Sequence, residues 1–148
     1  MRFDLTYVDK DGSKKTPVVL HRAIFGSLDR FIAYYLEERK GLLPLWLSPV
    51  QVNIIPVNNE YHLEYAKRIF DKLKEANLRV ELDDRDEKLG YKMRESVIKK
   101  KNYAVIIGNK ELENNTVSFR KCGSEETTTL SIEEFITKIL DEIKTRKY

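Results

Sequence analysis

The sequence predicts an α/β chain: a mixed, mainly parallel sheet of about five strands with three helices, preceded by a strand hairpin and one further helix. Three observations lead there. Val50 to Val57 and Tyr103 to Gly108 are near-continuous apolar runs, the pattern of strands buried on both faces. Helix-periodic segments alternate with such runs at the spacing of parallel βαβ units. Ser131 and Glu134 form a capping box ahead of Ile132, Phe135, Ile136, Ile139, Leu140 and Ile143, which define a strongly amphipathic closing helix.

Taken in order, residues 2–26 predict an antiparallel hairpin. Phe3, Leu5 and Tyr7 alternate with polar residues, Lys10 to Ser13 supplies turn chemistry, and Pro17 to Leu20 resumes an extended run. Nothing within that segment covers either strand. Ser27 is placed to cap a helix with Leu28, Phe31, Ile32, Tyr35 and Leu36 on one face, and Gly41 to end it. Gly41, Pro44 and Pro49 around Trp46 then break the rhythm and mark a domain boundary, dividing the chain into residues 1–46 and 47–148. After the Val50 strand, Asn58 or Asn59 caps a helix with Ala66, Ile69, Phe70 and Leu73 at helical spacing, and Asn77 takes the left-handed turn at its end. Leu78 to Leu82 predicts a strand, Glu87 to Lys101 a helix and Tyr103 to Gly108 a strand. Asn114-Asn115 turns into a strand over Thr116 to Lys121, and Thr127 to Leu130 predicts a short last strand.

At 148 residues and 41% hydrophobic, the chain can bury one good core, or one small domain plus a fragment of another. Its single cysteine, Cys122, excludes an internal disulfide and a multi-cysteine metal knuckle. No apolar N-terminal stretch suggests export or membrane insertion, so the expectation is a cytoplasmic protein with no membrane partner. A net charge of +3 is only mildly basic, so any nucleic-acid contact has to come from local clustering.

Two regions carry candidate chemistry. His21 lies just before the Gly26 turn, where it serves either as a hydrogen-bonded strand histidine or as a metal ligand. A ligand cannot act alone: zinc needs three or four, and only His62 and Cys122 are of the remaining soft types. Arg30, three residues beyond Ser27, is either a solvated arginine or a partner of the helix N-terminus in holding phosphate. The second region is the run Arg85, Lys88, Lys92, Arg94, Lys99, Lys100 and Lys101, with Tyr91 interleaved and Arg120 and Lys121 on a later strand. It fits a solvated helix face, or a surface that tracks a phosphate backbone and stacks unpaired bases. Asp83, Asp84 and Asp86 are better balanced by Arg85 and Lys88 than by Mg²⁺.

The run Val19-Leu20-His21-Arg22-Ala23-Ile24-Phe25-Gly26-Ser27-Leu28-Asp29-Arg30-Phe31 resembles the last signature motif of class II aminoacyl-tRNA synthetases in its threonyl form. The likeness continues through Pro44-Leu45-Trp46-Leu47-Ser48-Pro49-Val50-Gln51-Val52 and Asp84-Arg85-Asp86-Glu87-Lys88-Leu89-Gly90-Tyr91-Lys92-Met93-Arg94-Glu95. Three motifs in order span essentially the whole chain, which resembles the C-terminal part of a threonyl-tRNA synthetase. The resemblance implies the end of a catalytic domain over residues 1–46 and a class II anticodon-binding domain over 47–148.

That family joins threonine to its tRNA with ATP and magnesium. The resemblance implies that His21 is one of three protein ligands of a zinc ion that holds the threonine amino and hydroxyl groups. Such a metal separates threonine from similarly shaped valine, which an apolar pocket cannot do strongly. It implies that Arg30 braces ATP and Ser27 lines the same catalytic site, and that Asp86, Arg94, Glu111 and Arg120 contact anticodon bases. Asp86 stands where the family pattern has asparagine, which leaves an acceptor-only group; Asp29 replaces the usual glutamate. The expected partners are threonine tRNA and, in a longer homodimeric enzyme, threonine and ATP. The other two zinc ligands, the dimer-forming motif and most ATP contacts are expected upstream, so the segment alone is expected to hold no cofactor, to form no adenylate and mainly to recognise the anticodon. The alternative is a non-catalytic RNA-binding or regulatory relative that keeps the anticodon-binding domain. A prolyl, glycyl or histidyl relative fits less well, because the His21 to Phe31 run argues against it.

Overall fold

A computed structural model describes residues 4–146. They form two compact units, one ending at Tyr35 and the other beginning at Leu36.

In the first unit, β1 (Tyr7–Val8) pairs antiparallel with β2 (Lys14–Lys15). The Asp9 N–H donates to Ser13 O and the Gly12 N–H to Asp9 O, closing the turn, where Gly12 adopts φ +78°. The Lys15–Asp9 ion pair braces it. The predicted hairpin over 2–26 is thus reduced to two-residue strands, and Pro17 to Arg22, including His21, has no regular strand. Phe3 lies outside the described residues. With the alternating side chains exposed, burial contributes nothing to extending the pairing. α1 (Leu28–Glu38) begins as predicted, with Ser27 Oγ accepting the Arg30 N–H at 3.3 Å. Phe25, Phe31 and Tyr35 stack in succession, with centroids 4.5 and 6.1 Å apart. None of the helix is buried.

The second unit is built on a five-stranded sheet. In chain order its elements are β3 (Val52–Pro56), α2 (Asn59–Glu75), β4 (Val80–Leu82), α3 (Leu89–Ile98), β5 (Tyr103–Ile107), α4 (Asn109–Asn114), β6 (Thr116–Lys121), β7 (Thr127–Ser131) and α5 (Ile132–Lys144). Spatially the strands run β4-β3-β5-β6-β7. β3 pairs parallel with β4 and β5, β6 runs antiparallel to β5, and β7 is antiparallel to β6. Four strands therefore share a direction, and β6 alone is reversed. Beyond the three predicted helices there is the short α4, whose C-cap Asn115 sits at φ +53° in the Asn114-Asn115 turn.

Strand alternation divides the sheet into two faces. On one, Val52 and Ile54 of β3, Tyr103, Val105 and Ile107 of β5, and Val117 and Phe119 of β6 join Tyr65, Ala66, Ile69 and Leu73 of α2 and Ile132, Phe135 and Ile139 of α5 in the core. Tyr103, Phe119 and Phe135 form an aromatic triad with centroids 4.8 to 6.1 Å apart. The Tyr103 hydroxyl donates to Glu142 Oε2 at 2.6 Å, and burial with that carboxylate neighbour pushes the phenol pKa up. α2 is capped by Asn58, and Asn77 takes φ +60° after it, as predicted. His62 completes that start: its Nδ1 accepts the Asn58 N–H at 3.1 Å, leaving Nε2–H to face Asn109 Oδ1 at 2.7 Å. Ser131 and Glu134 form the predicted capping box of α5.

The segment before β3 belongs to this unit. Leu45 is part of the core, Gln51 Nε2 donates to Leu45 O at 3.0 Å, and Arg79 donates to Ser48 O and Trp46 O at 2.7 and 3.0 Å. Phe135→Ala, at the centre of the triad, is expected to destabilise the unit by about 3–5 kcal/mol, against about 0.5 kcal/mol or less for the more exposed Leu140→Ala. Urea denaturation of both variants checks this.

Candidate nucleic-acid interface

The second face of the sheet carries Asn53 and Ile55 of β3, Ala104 and Ile106 of β5, Ser118 and Arg120 of β6, and Thr127 and Thr129 of β7, as the register requires. α3 packs over β3, and its Met93, Ser96 and Val97 line a shallow recess together with Ala104 and Arg120. Across β7, Thr127 and Thr129 remain exposed. Of the four predicted anticodon residues, this half-covered face carries Arg120 itself and, through Ser118, the carboxylate of Glu111.

Glu111, in the first turn of α4, reaches the face through its carboxylate. Oε2 accepts the Gly108 N–H at 2.9 Å and Oε1 accepts the Ser118 hydroxyl at 2.6 Å. Burial acts to raise its pKa, but those bonds outweigh burial and hold the carboxyl below its usual range. Arg120, two residues from Ser118 and on the same face, donates from Nη2 to Thr127 Oγ1 at 3.2 Å, while its buried Nε has no partner. Arg94 is exposed on α3, and no ion pair or hydrogen bond joins it to another described residue. Glu111 and Arg120 are therefore linked through one strand, with Arg94 one residue beyond the Met93 that borders the Arg120 recess.

Asp86 lies elsewhere on this unit, exposed in the loop between β4 and α3. It lines a cleft of about 410 Å³ with Val57, Asn58, Asn59, Arg85 and Lys92. The cleft sits outside the carboxyl ends of β3 and β4, where open α/β sheets bind ligands. Its floor is held by a chain of charges. Arg85 grips buried Asp83 with two bonds of 2.8 and 2.7 Å and also pairs with Glu95 at 2.5 Å, and Glu95 pairs with Lys99 at 2.7 Å. The Arg85 guanidinium holds the Asp83 carboxyl below the usual carboxylate range.

These pairings change the reading of the basic run. Lys92 is only 2% exposed and donates to Asp83 O at 3.1 Å. Lys101 is 7% exposed and bonds Glu81 and Asn53 Oδ1 at 2.8 and 3.2 Å. The cations do not line one phosphate-tracking surface: Arg85, Lys92, Lys99 and Lys101 are committed internally, and Lys88, Arg94 and Lys100 are exposed without a pairing among the described residues. Sequence reasoning missed Ser118, Thr127 and Thr129 as members of the face. The alternation of Thr116 to Arg120 and the Thr127-Thr128-Thr129 run held the signal, but the strand register was needed to put them side by side.

In the first unit His21, Ser27 and Arg30 are all exposed, and the Ser27 hydroxyl serves as the α1 cap. Among the described residues no three His, Cys, Asp or Glu side chains are grouped to hold a metal. His21 supplies a single imidazole, so these residues do not by themselves fit a zinc site. Likewise, no helix among the described residues is long and apolar enough to cross a membrane.

A family model described as anticodon binding domain matches residues 51–142. The chain is 48% identical over 146 residues to a threonine–tRNA ligase of Oceanobacillus iheyensis, covering 99% of this chain and 23% of that protein. It is 50% identical over 142 residues to a threonine–tRNA ligase of Listeria monocytogenes, covering 96% of this chain and 22% of that protein. The chain thus spans less than a quarter of the length of these relatives. The crystal structure of the RNA binding domain of threonyl-tRNA synthetase from Cryptosporidium parvum superposes with a TM-score of 0.77 at 33% identity, covering 95% of this chain and 36% of that one.

Because the folded Asp83 carboxyl binds its proton less readily than an unfolded one, its contribution is fully present above the ordinary value of 3.8 and is lost as pH falls below it. Asp83→Asn is expected to lower stability by about 1–2 kcal/mol near neutral pH. That deficit should shrink as the pH is taken below 3.8, measured by urea titrations across this range.

Proposed function

Because this chain belongs to the anticodon-binding-domain family, we propose that it recognises the anticodon of threonine tRNA as part of a longer threonine–tRNA ligase. The observation that carries this reading is the family match over residues 51–142 coinciding with the half-open sheet face that bears Arg120, the Glu111 network and, on the adjoining helix, unpaired Arg94. The chemistry suits single-stranded RNA. A guanidinium bonds base acceptors or stacks on a base, and an exposed polar sheet face takes splayed bases edge-on. Asp86, in the cleft at the strand ends, contributes an acceptor toward the same RNA.

The proposal extends to the whole ligase. It would work in the cytoplasm as a homodimer, with threonine, ATP and magnesium as reactants. His21 would give one ligand to zinc that is completed by residues from outside those described, with Arg30 and Ser27 at the same catalytic wall. The identity to threonine–tRNA ligases across residues of both units supports this extension. Zinc in that site would hold the threonine hydroxyl. This chain's own contribution is RNA binding.

Titration of the chain with a threonine tRNA anticodon stem-loop, and with one carrying swapped central and third anticodon bases, tests the reading. Cognate RNA is expected to bind more tightly, and equal affinity for both would reject base recognition. Arg94→Ala and Arg120→Ala should each cost about 1–3 kcal/mol and relax discrimination. Lys100→Ala should weaken both RNAs alike and reduce the salt slope by about 1. Lys99→Ala, which removes a cation already tied to Glu95, should lower discrimination less than either arginine substitution does.

A further inference from the structure

Three hydroxyl and carboxylate groups on the second face form a chain whose protons can run in only one direction. Glu111 is a carboxylate at neutral pH and has no proton to give, so in its 2.6 Å bond to Ser118 the serine must donate. A hydroxyl has one proton, and that of Ser118 is now committed. In the 2.8 Å contact between Ser118 Oγ and Thr129 Oγ1, Thr129 must therefore be the donor. Its own proton points inward to the buried serine, and what it turns outward is a pair of oxygen lone pairs. Ser118 is 7% exposed and Thr129 is exposed, so the chain begins under α4 and ends at solvent. One register step away, Thr127 accepts from Arg120, which leaves its proton free to donate. Thr127 thus keeps a proton to donate, whereas Thr129 offers an incoming group only lone pairs.

We infer that Thr129 is a specificity-determining residue of the RNA interface, its Oγ1 accepting a hydrogen bond from a donor group of an unpaired anticodon nucleotide. This rests on the proposed anticodon reading. The donor is a base N–H or a ribose 2′-hydroxyl, and a group that offers only acceptors meets lone pair against lone pair. Through Ser118, Glu111 sets the polarity of Thr129; each of its oxygens accepts one bond within the protein and keeps a further lone pair with which to meet the RNA directly.

The test titrates the full chain with the anticodon stem-loop and two series of variants. One series replaces each anticodon base in turn by an analogue lacking an N–H donor, such as inosine for guanosine; the other replaces each ribose by 2′-deoxyribose. The unsubstituted protein must first distinguish cognate from swapped anticodons; if it does not, the anticodon reading itself fails whatever Thr129 does. Given that discrimination, one substitution is expected to weaken binding to the unsubstituted protein about tenfold. Thr129→Val should bind the cognate and that substituted RNA with equal affinity. Thr129→Ser should restore the difference, and Ser118→Ala, which keeps the Thr129 hydroxyl but frees its proton, should reduce it. Which series shows the effect tells base from ribose. The inference is overturned if folded Thr129→Val, verified by circular dichroism and thermal unfolding, keeps the full difference, or if no substitution in either series weakens binding to the unsubstituted protein.

Discussion

The ammonium of Lys101 is buried beside the end of α3, and a charge taken out of water has to be paired where it lies. It bonds Glu81 on β4 and Asn53 Oδ1 on β3, two residues that the parallel register places side by side. That arrangement ties the start of β5 to the two preceding strands and fixes where α3 ends over the sheet. α3 consequently covers β3 but leaves the β6–β7 side of the same face open. The opposite face is closed by α2 and α5 over an apolar core. One sheet therefore serves as both a scaffold and a surface, because its two faces are composed of different residue types and bury different fractions of them.

A count of cations is a poor guide to where an anion meets them. The run from Arg85 to Lys101 is dense in positive charge, yet its members point in every direction that the helical period dictates. Lys92 and Lys101 face the sheet, Arg85 and Lys99 close an ion chain with Asp83 and Glu95, and Arg94 is left outward. The carboxylates that neutralise the internal cations also secure the loop that carries Asp86. The charge run is largely a structural device, and only a smaller set of its groups, Lys88, Arg94 and Lys100, stays exposed and unpaired among the described residues.

Most of the second unit was legible in the sequence. The apolar runs gave β3 and β5, Thr116 to Lys121 matched β6 residue for residue, and the Ser131–Glu134 box marked the start of α5. These signals are local: capping geometry and strand alternation are decided by a few neighbouring residues. What was not legible depended on partners distant in sequence. The hairpin pattern around Leu5 to Leu20 promised longer strands than form where these side chains stay exposed. The short α4 follows from a capping bond by Glu111 that also reaches Ser118 on the next strand. Of the predicted anticodon residues, Glu111 and Arg120 meet through the β6 strand, whereas Asp86 stands in a cleft at the strand ends. Thr129 drew no notice as one of three successive threonines; its proton is oriented by a carboxylate 18 residues earlier, counted from Glu111 to Thr129.

The stitching of the Leu43 to Ser48 segment onto the sheet has a practical meaning for anyone cutting this chain. Leu45 fills part of the core, Asn102 Nδ2 holds Leu43 O at 2.8 Å, and Gln51 and Arg79 spend their side-chain donors on carbonyls of Leu45, Trp46 and Ser48. A fragment trimmed to the family-matched residues 51–142 would carry a hole where Leu45 sat, and Gln51, Arg79 and Asn102 would lose the carbonyls their side-chain N–H groups bond. Expression boundaries and protease-accessible junctions for this unit accordingly belong upstream of Leu43, in the neighbourhood of the left-handed Lys40-Gly41 turn.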